Sequence, residues 1–415
     1  MITNEKKRLK SVDISMLITH ALFNAVSIFV TTFLISYIYE VSNNYIMDIG
    51  LFYGFMYISM LVFYHLISIL IAKTNRVIIY RIAIIVRSIF ILCVIFLGKD
   101  LAKYVIMAGF LYGFSEAGYW TSYNLMKNEL VSHHVMAKFA VVQLFNTKII
   151  NVVVPLILGK IIDSASFKTC SVIVLIAVMA QLIFSLFIKS KRPENSYFCF
   201  KEFWAGYKKL EKNKKTLILF ALFTGVIYGM TAIVPPLNTI LIMVSFESNL
   251  SLGVFSGCFA ITSVILLLIY KKWTKLGKRT FIYVICAVLP IIATILLLFE
   301  VNKTTALIRM LIYTIVEVLY VYSYDVMRNL LLKKFDMYDS IAEFQCLIEH
   351  TLQTGRIMVF MTMALIGFLC AGSSFVTIAS ALRIVSSISM LFIVTMNISV
   401  AIYEKKFSKV IKIED

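Results

Sequence analysis

Glu116-Ala-Gly-Tyr119-Trp-Thr-Ser122-Tyr123-Asn124-Leu-Met126-Lys127-Asn128 returns 201 residues later as Glu317-Val-Leu-Tyr320-Val-Tyr-Ser323-Tyr324-Asp325-Val-Met327-Arg328-Asn329. Glu, Tyr, Ser, Tyr, Met and Asn coincide at one offset, and Lys127 falls on Arg328. Gly50-Leu-Phe-Tyr-Gly54 matches Gly253-Val-Phe-Ser-Gly257, and the same shift places Arg76 on Arg279 and Tyr80 on Tyr283. Ala21-Leu-Phe matches Ala221-Leu-Phe. Self-similarity at half the chain length reads as a duplication.

Both copies lie in apolar surroundings. Of 415 residues, 60% are hydrophobic and 15% charged, where soluble domains carry roughly a quarter charged. That balance excludes a soluble globule, and no polar tract is long enough for a separate catalytic domain. The net charge of +18 would suit nucleic acid only if the basic residues clustered on a soluble surface. Here they sit between apolar runs, so no nucleic acid partner is expected. The 7 Cys form no CxxC pair and are odd in number, so neither a disulfide frame nor a metal site is indicated. Adjacent His133-His134 has no second ligand pair nearby. The polar N-terminus precedes an apolar run too long for a signal peptide, which is therefore expected to stay as a span.

About 20 apolar residues cross the hydrocarbon as a helix. Twelve such runs are predicted, near 13–38, 46–71, 78–97, 104–126, 139–163, 169–188, 216–243, 250–270, 281–299, 304–327, 345–370 and 375–402. With Arg81 and Lys160 counted in the loops beside them, 30 Lys and Arg fall on the side of both termini and 5 on the other. The positive-inside rule then predicts cytoplasmic termini in a multi-pass protein of the cell membrane. The other five basic residues, Arg87, Lys148, Arg309, Arg356 and Arg383, lie within spans. Residues 1–188 are thus expected to form one six-helix bundle and 216–415 another. Between them 189–215 reads as a cytoplasmic basic amphipathic linker. Phe198, Phe200, Phe203, Trp204 and Tyr207 alternate there with Lys201, Lys208, Lys209 and Lys212, a pattern suited to anionic lipid headgroups or to a solvated connection.

Six spans separate the copies, so each enters the membrane in the same sense and the repeat is parallel, with a site expected at the interface of the halves. In span number, repeat, central loop and cytoplasmic termini the chain resembles the major facilitator superfamily. The resemblance implies an all-α fold of two six-helix bundles and a monomer, with spans 1, 4, 7 and 10 lining a cavity. The short motifs depart from the family's. Lys73-Thr-Asn-Arg76 lacks the usual Gly and Asp, Thr274-Lys275-Leu-Gly277-Lys278-Arg279 has Thr in place of Asp, the exporter Gly-Pro pair is reduced to Pro155-Leu-Ile-Leu-Gly159, and Gly109 stands where Arg is common.

At 100° per residue, Glu116, Tyr119, Tyr123 and Lys127 share one helix face, and Glu317, Tyr320, Tyr324 and Arg328 another, with Asn124 and Asp325 flanking. A mid-membrane carboxylate is costly unless it meets water or a partner. Glu116 and Glu317 therefore either exchange protons for substrate or form static pairs, such as Glu116 with Lys148 and Glu317 with Arg356. The tyrosines offer ring faces and hydroxyls to a cation or ring-bearing solute, or simply pack. His20, Asp325, Glu349 and His350 are the further proton-coupling candidates. Asn24, Tyr119, Tyr123, Lys148, Asn151, Asn238, Tyr320, Tyr324 and Arg356 are the substrate-binding candidates. Glu349 with Arg356 also reads as a packed ion pair, His65 as structural, and Arg87 as lining a crevice or capping a helix end. Pro235-Pro236 predicts a break in the seventh span.

No P-loop, nucleophile elbow or dinucleotide-binding pattern occurs, and no cofactor is expected. The function read from these residues is secondary active transport of a small amphiphilic or zwitterionic organic solute by alternating access, coupled to protons as efflux through an antiporter. Uptake of a sugar or organic anion, lipid flipping, and a polytopic membrane enzyme are the alternatives.

Overall fold

A computed structural model describes residues 9–43, 45–71, 74–189, 199–273, 280–335, 341–371 and 378–411. The described residues are all α, which is what hydrocarbon demands: a helix satisfies every backbone donor and acceptor within its own segment. In chain order these helices are α1 (Ser11–Ile28), α2 (Ile35–Val41), α3 (Ile46–Ile71), α4 (Arg76–Leu97), α5 (Val105–Leu130), α6 (His133–Ser164), α7 (Phe167–Ser185), α8 (Phe200–Lys209) and α9 (Lys212–Met230). They continue as α10 (Val234–Phe246), α11 (Asn249–Trp273), α12 (Thr280–Phe299), α13 (Lys303–Lys334), α14 (Ile341–Ala371) and α15 (Ile378–Ile411).

Among the described residues eleven stretches are long and apolar enough to cross a membrane. The longest, Arg76–Lys127, holds two helices, α4 and α5, packed on each other across the 3-10 turn Gly98–Tyr104. That makes twelve crossings, as the hydropathy pattern predicts, and the chain is an integral multi-span membrane protein. The outward faces stay apolar, with Phe96, Leu268 and Phe299 among the most exposed side chains. Side chains at the sites of His133 and His134 and the segment Thr274–Arg279 lie outside the described residues.

The chain forms two compact units. One comprises Met1–Asn44, Leu51–Tyr197 and Glu247–Ala260, the other Tyr45–Gly50, Phe198–Phe246 and Ile261–Asp415. In the first, α1 packs on α6 and α7, and α4 on α5 and α7. In the second, α9 packs on α14 and α15, and α12 on α13 and α15. With lipid no more polar than leucine, such contacts depend on close backbone approach through small residues. Gly109 and Gly113 of α5 lie against the backbone of Phe52 and Met56 in α3. At Gly109 even a Cβ would meet the Phe52 carbonyl, so the Arg expected there from the family resemblance has no room. In the second unit Gly229 of α9 and Gly355 of α14 leave room for each other's helix, Gly229 against Leu352 and Gly355 against Val226.

Two further contacts fix helix ends. Arg81 caps α7, its Nη2 donating to the carbonyls of Ser185 and Ile188 at 3.2 Å each. Asp163 caps α11, accepting from the backbone of Asn249 and Leu250 at 3.1 and 2.8 Å and from Ser248 Oγ at 3.0 Å. The amphipathic α8 belongs to the second unit. Phe203 is buried against Phe344 of α14, and the Cys199 N–H before its first turn donates to Glu343 at 2.8 Å. Its lysines 201, 208 and 209 and Trp204 stay exposed.

Candidate functional site

The first span is not one regular helix. Between α1 and α2 it passes through a π-helical segment, Phe29–Leu34, a form that concentrates at functional sites. In the second unit α9 ends at Met230, the 3-10 turn Thr231–Ile233 follows, and α10 restarts with Pro235 and Pro236 in its first turn, where their missing N–H groups cost nothing. At the shift aligning Ala21 with Ala221, both irregularities occupy the same repeat position.

Polar groups gather along α1 in the first unit and beside the 3-10 turn in the second. In the first unit α4 presents Arg87 and α5 presents Glu116, both almost fully buried. Arg87 Nη2 donates to Glu116 Oε1, and its Nε donates to Ser115 Oγ at 3.3 Å. The guanidinium lies 3.9 Å from the Phe23 ring centroid. The second carboxylate oxygen accepts from the Trp120 indole at 3.0 Å. Glu116 therefore pairs with Arg87, not with Lys148, and Lys148 forms no ion pair among the described residues.

One helical layer away, Gln143 donates to His20 Nε2 at 2.9 Å, which leaves Nδ1 to donate to Tyr119 Oη at 2.8 Å. Asn24 donates to Thr147 Oγ1 at 3.1 Å. His20, Phe23, Tyr119 and Tyr123 form a continuous ring stack, with Phe23 and Tyr119 centroids 3.4 Å apart. Tyr119 and Tyr123 are fully buried within this stack, while Asn24, Lys148 and Asn151 remain half-exposed.

In the second unit Glu317 accepts from Tyr313 Oη at 2.5 Å. Tyr320 donates to Thr231 Oγ1 at 3.5 Å, inside the 3-10 turn, and Tyr324 to the Ala221 carbonyl at 3.1 Å. Both tyrosines are fully buried, and both meet the half-exposed Tyr228 edge-on, at 6.0 and 5.5 Å. Glu317, Asp325, Arg328 and Arg356 are near enough to Tyr228 to act on it electrostatically, so charges of both signs belong to its neighbourhood. Asp325 and Arg328 pair at 3.0 Å. Glu349 and Arg356 are joined through Gln353, which donates to Glu349 at 3.4 Å and accepts from Arg356 at 3.3 Å. His350 donates from Nδ1 to the Cys346 carbonyl at 2.6 Å. Asn238 is buried in α10, one turn past the prolines.

Several members escaped the sequence reading: Arg87 as the partner of Glu116, then Trp120, Gln143, Thr147, Tyr228 and Tyr313. Two were findable, because Trp120 stands four residues after Glu116 and Tyr313 four before Glu317, the spacing at which helix neighbours touch.

The family model described as Major Facilitator Superfamily matches residues 15–338. No curated protein sequence matches the chain. Among solved structures, the nucleoside transporter NupG is similar with a TM-score of 0.63 at 13% identity, over 96% of this chain and 98% of that one. A bacterial homologue of the human lysosomal transporter Spinster is similar with a TM-score of 0.62 at 15% identity, over 97% of each chain. A bacterial homologue of the iron transporter ferroportin is similar with a TM-score of 0.71 at 11% identity, over 95% and 98%. At these identities the likeness speaks for the fold alone, but the family model covers most of the sequence: this chain belongs to the Major Facilitator Superfamily.

Proposed function

We propose that the chain is a proton-coupled secondary transporter that exports a small amphiphilic or zwitterionic organic solute by alternating access. It works as a monomer in the cell membrane with both termini cytoplasmic, and α8 meets anionic headgroups through its lysines. The observation that carries this reading is the surroundings of Tyr228, where an aromatic face lies within range of two carboxylates and two guanidinium groups. A zwitterion needs both signs, and an amphiphile needs the ring.

The two glutamates divide the work. Arginine has donors and no acceptor, so a proton on Glu116 would leave the Arg87 charge buried without its counter-ion. A phenol can donate or accept, so Glu317 can take up a proton and keep its bond to Tyr313 with the direction reversed. On that difference in bonding we assign Glu317 as the proton-coupling candidate to be tested first, and Glu116 as a tie of α4 to α5.

The test is flux into proteoliposomes under a pH gradient. Glu317→Gln should abolish pH-driven accumulation while solute exchange without a gradient continues. Unchanged pH-driven transport in Glu317→Gln would refute the assignment. Solute turnover without translocation would favour an enzyme, and movement of labelled lipid a flippase.

A further inference from the structure

Among the described residues two arginines lie fully buried inside spans, Arg87 and Arg309. Arg87 meets the carboxylate of Glu116. Arg309 meets none: the ion pairs among the described residues are Arg76–Glu129, Arg87–Glu116, Lys103–Asp100 and Asp325–Arg328. It stands six residues into α13, about 9 Å along the helix at 1.5 Å per residue. Its Nη2 donates to Ser389 Oγ at 2.9 Å and to the Ser386 carbonyl at 3.4 Å. Its Nε and Nη1 have no partner, and neither do the buried hydroxyls of Ser386 and Ser387. One turn earlier on α15, Arg383 brings a second guanidinium, whose buried Nε is also without a partner.

We propose that Arg309, Ser386 and Ser387 bind a small monovalent inorganic anion of the chloride class, enclosed where α13 meets α15. The chemistry of the donor set supports this. Arg309 reaches the backbone of Ser386 on the facing helix, and that helix also carries two buried serine hydroxyls without a partner; an anion accepts from guanidinium N–H and hydroxyl O–H groups alike. Water could satisfy the donors one by one, but it would leave the guanidinium charge uncompensated within the membrane, where charges are costly. Arg309 has no surface within reach of solvent, which favours an ion of one or a few atoms over the carboxylate of an organic solute. The site lies one turn before Tyr313 on α13 and does not depend on which solute is carried.

Thermal melting of the purified full-length chain, titrated with sodium chloride against sodium gluconate at constant ionic strength, tests the site. The melting temperature should rise saturably with chloride and with bromide but not with gluconate. Crystals soaked in bromide should show an anomalous peak within hydrogen-bond distance of the Arg309 guanidinium. Arg309→Met should abolish the saturable rise and, in gluconate, melt at or above the wild type, because an uncompensated charge has been removed. Ser387→Ala should keep the fold and raise half-saturating chloride about tenfold. A wild type indifferent to the anion, a chloride response that persists in Arg309→Met, or an equal loss of melting temperature by Arg309→Met in both salts would overturn the proposal. The last result would make Arg309 a helix-to-helix tie and nothing more.

Discussion

Replacing Glu116 with Gln removes one charge from a buried pair and leaves the other in place. Arg87 is 1% exposed and Glu116 7%, so neither can turn to water. Arg87 and Trp120 bond to different carboxylate oxygens, so the Gln carbonyl replaces only one of those acceptors in place, and its amide turns a donor toward the other partner. Removing one partner of a buried pair costs about 3 to 5 kcal/mol. For a unit of roughly 200 residues, 1 kcal/mol shifts the melting temperature by about 2–4 °C, so Glu116→Gln should melt roughly 6–20 °C below the wild type. Arg87→Met should lose stability for the mirror reason, as well as its contact over the Phe23 ring.

The double variant Arg87→Met/Glu116→Gln should recover most of the loss, because a buried pair replaced by uncharged groups of similar volume is often neutral. The assay is a melting curve for each corner of the mutant cycle in one detergent. The reasoning fails if Glu116→Gln melts within about 3 °C of the wild type, or if the double variant is at least as unstable as the sum of the singles. The same double variant should still accumulate solute under a pH gradient, since Glu317 is intact. Loss of pH-driven flux in a double variant that melts normally would move the coupling role to Glu116.

Further expectations follow from the helix contacts. Gly229→Val places a side chain against the Leu352 carbonyl and should cost about 1 to 3 kcal/mol by overpacking, read as a lower melting temperature, with Gly229→Ala intermediate. Asp163→Ala removes the cap of α11 and should cost about 0.5 to 2 kcal/mol; Asp163→Asn, which still accepts, should lose less. For orientation, a cysteine introduced at Ser166 should be labelled by an impermeant reagent from outside intact cells, and one at Asn213 only after permeabilisation. The opposite pattern would invert the topology.

Hydropathy and the offset of 201 made the helices and the two-bundle fold legible because each is a property of the chain in order. Partners across helices were less legible, since they depend on which spans become neighbours. Glu116 could have met Lys148 on α6 by its charge alone, but α4 packs along α5 and puts Arg87 there first. Likewise the groups of α6 that meet His20 and Asn24 are Gln143 and Thr147, not the more conspicuous Lys148 and Asn151. Pro235 and Pro236 announce the break in the seventh span through their missing N–H groups. Phe29–Leu34 has neither Pro nor Gly, so its π turn left no mark in composition and could be anticipated only by carrying the seventh span's break back through the repeat.

That transfer separates what the two units share from what they do not. Both keep a backbone irregularity at one repeat position, and both keep a glutamate at the offset of 201. The cations beside them have diverged. At the shift that aligns Tyr80 with Tyr283, Arg87 corresponds to Pro290, and at 201 Arg309 corresponds to Ala108. Each unit therefore holds a buried arginine where the other holds an uncharged residue. An exact repeat would give two equal carboxylates, with nothing to decide which one releases a proton. Here Glu116 is bound to a guanidinium, which cannot accept, and Glu317 to a phenol, which can, so under the proposed coupling the two carboxylates are no longer equivalent.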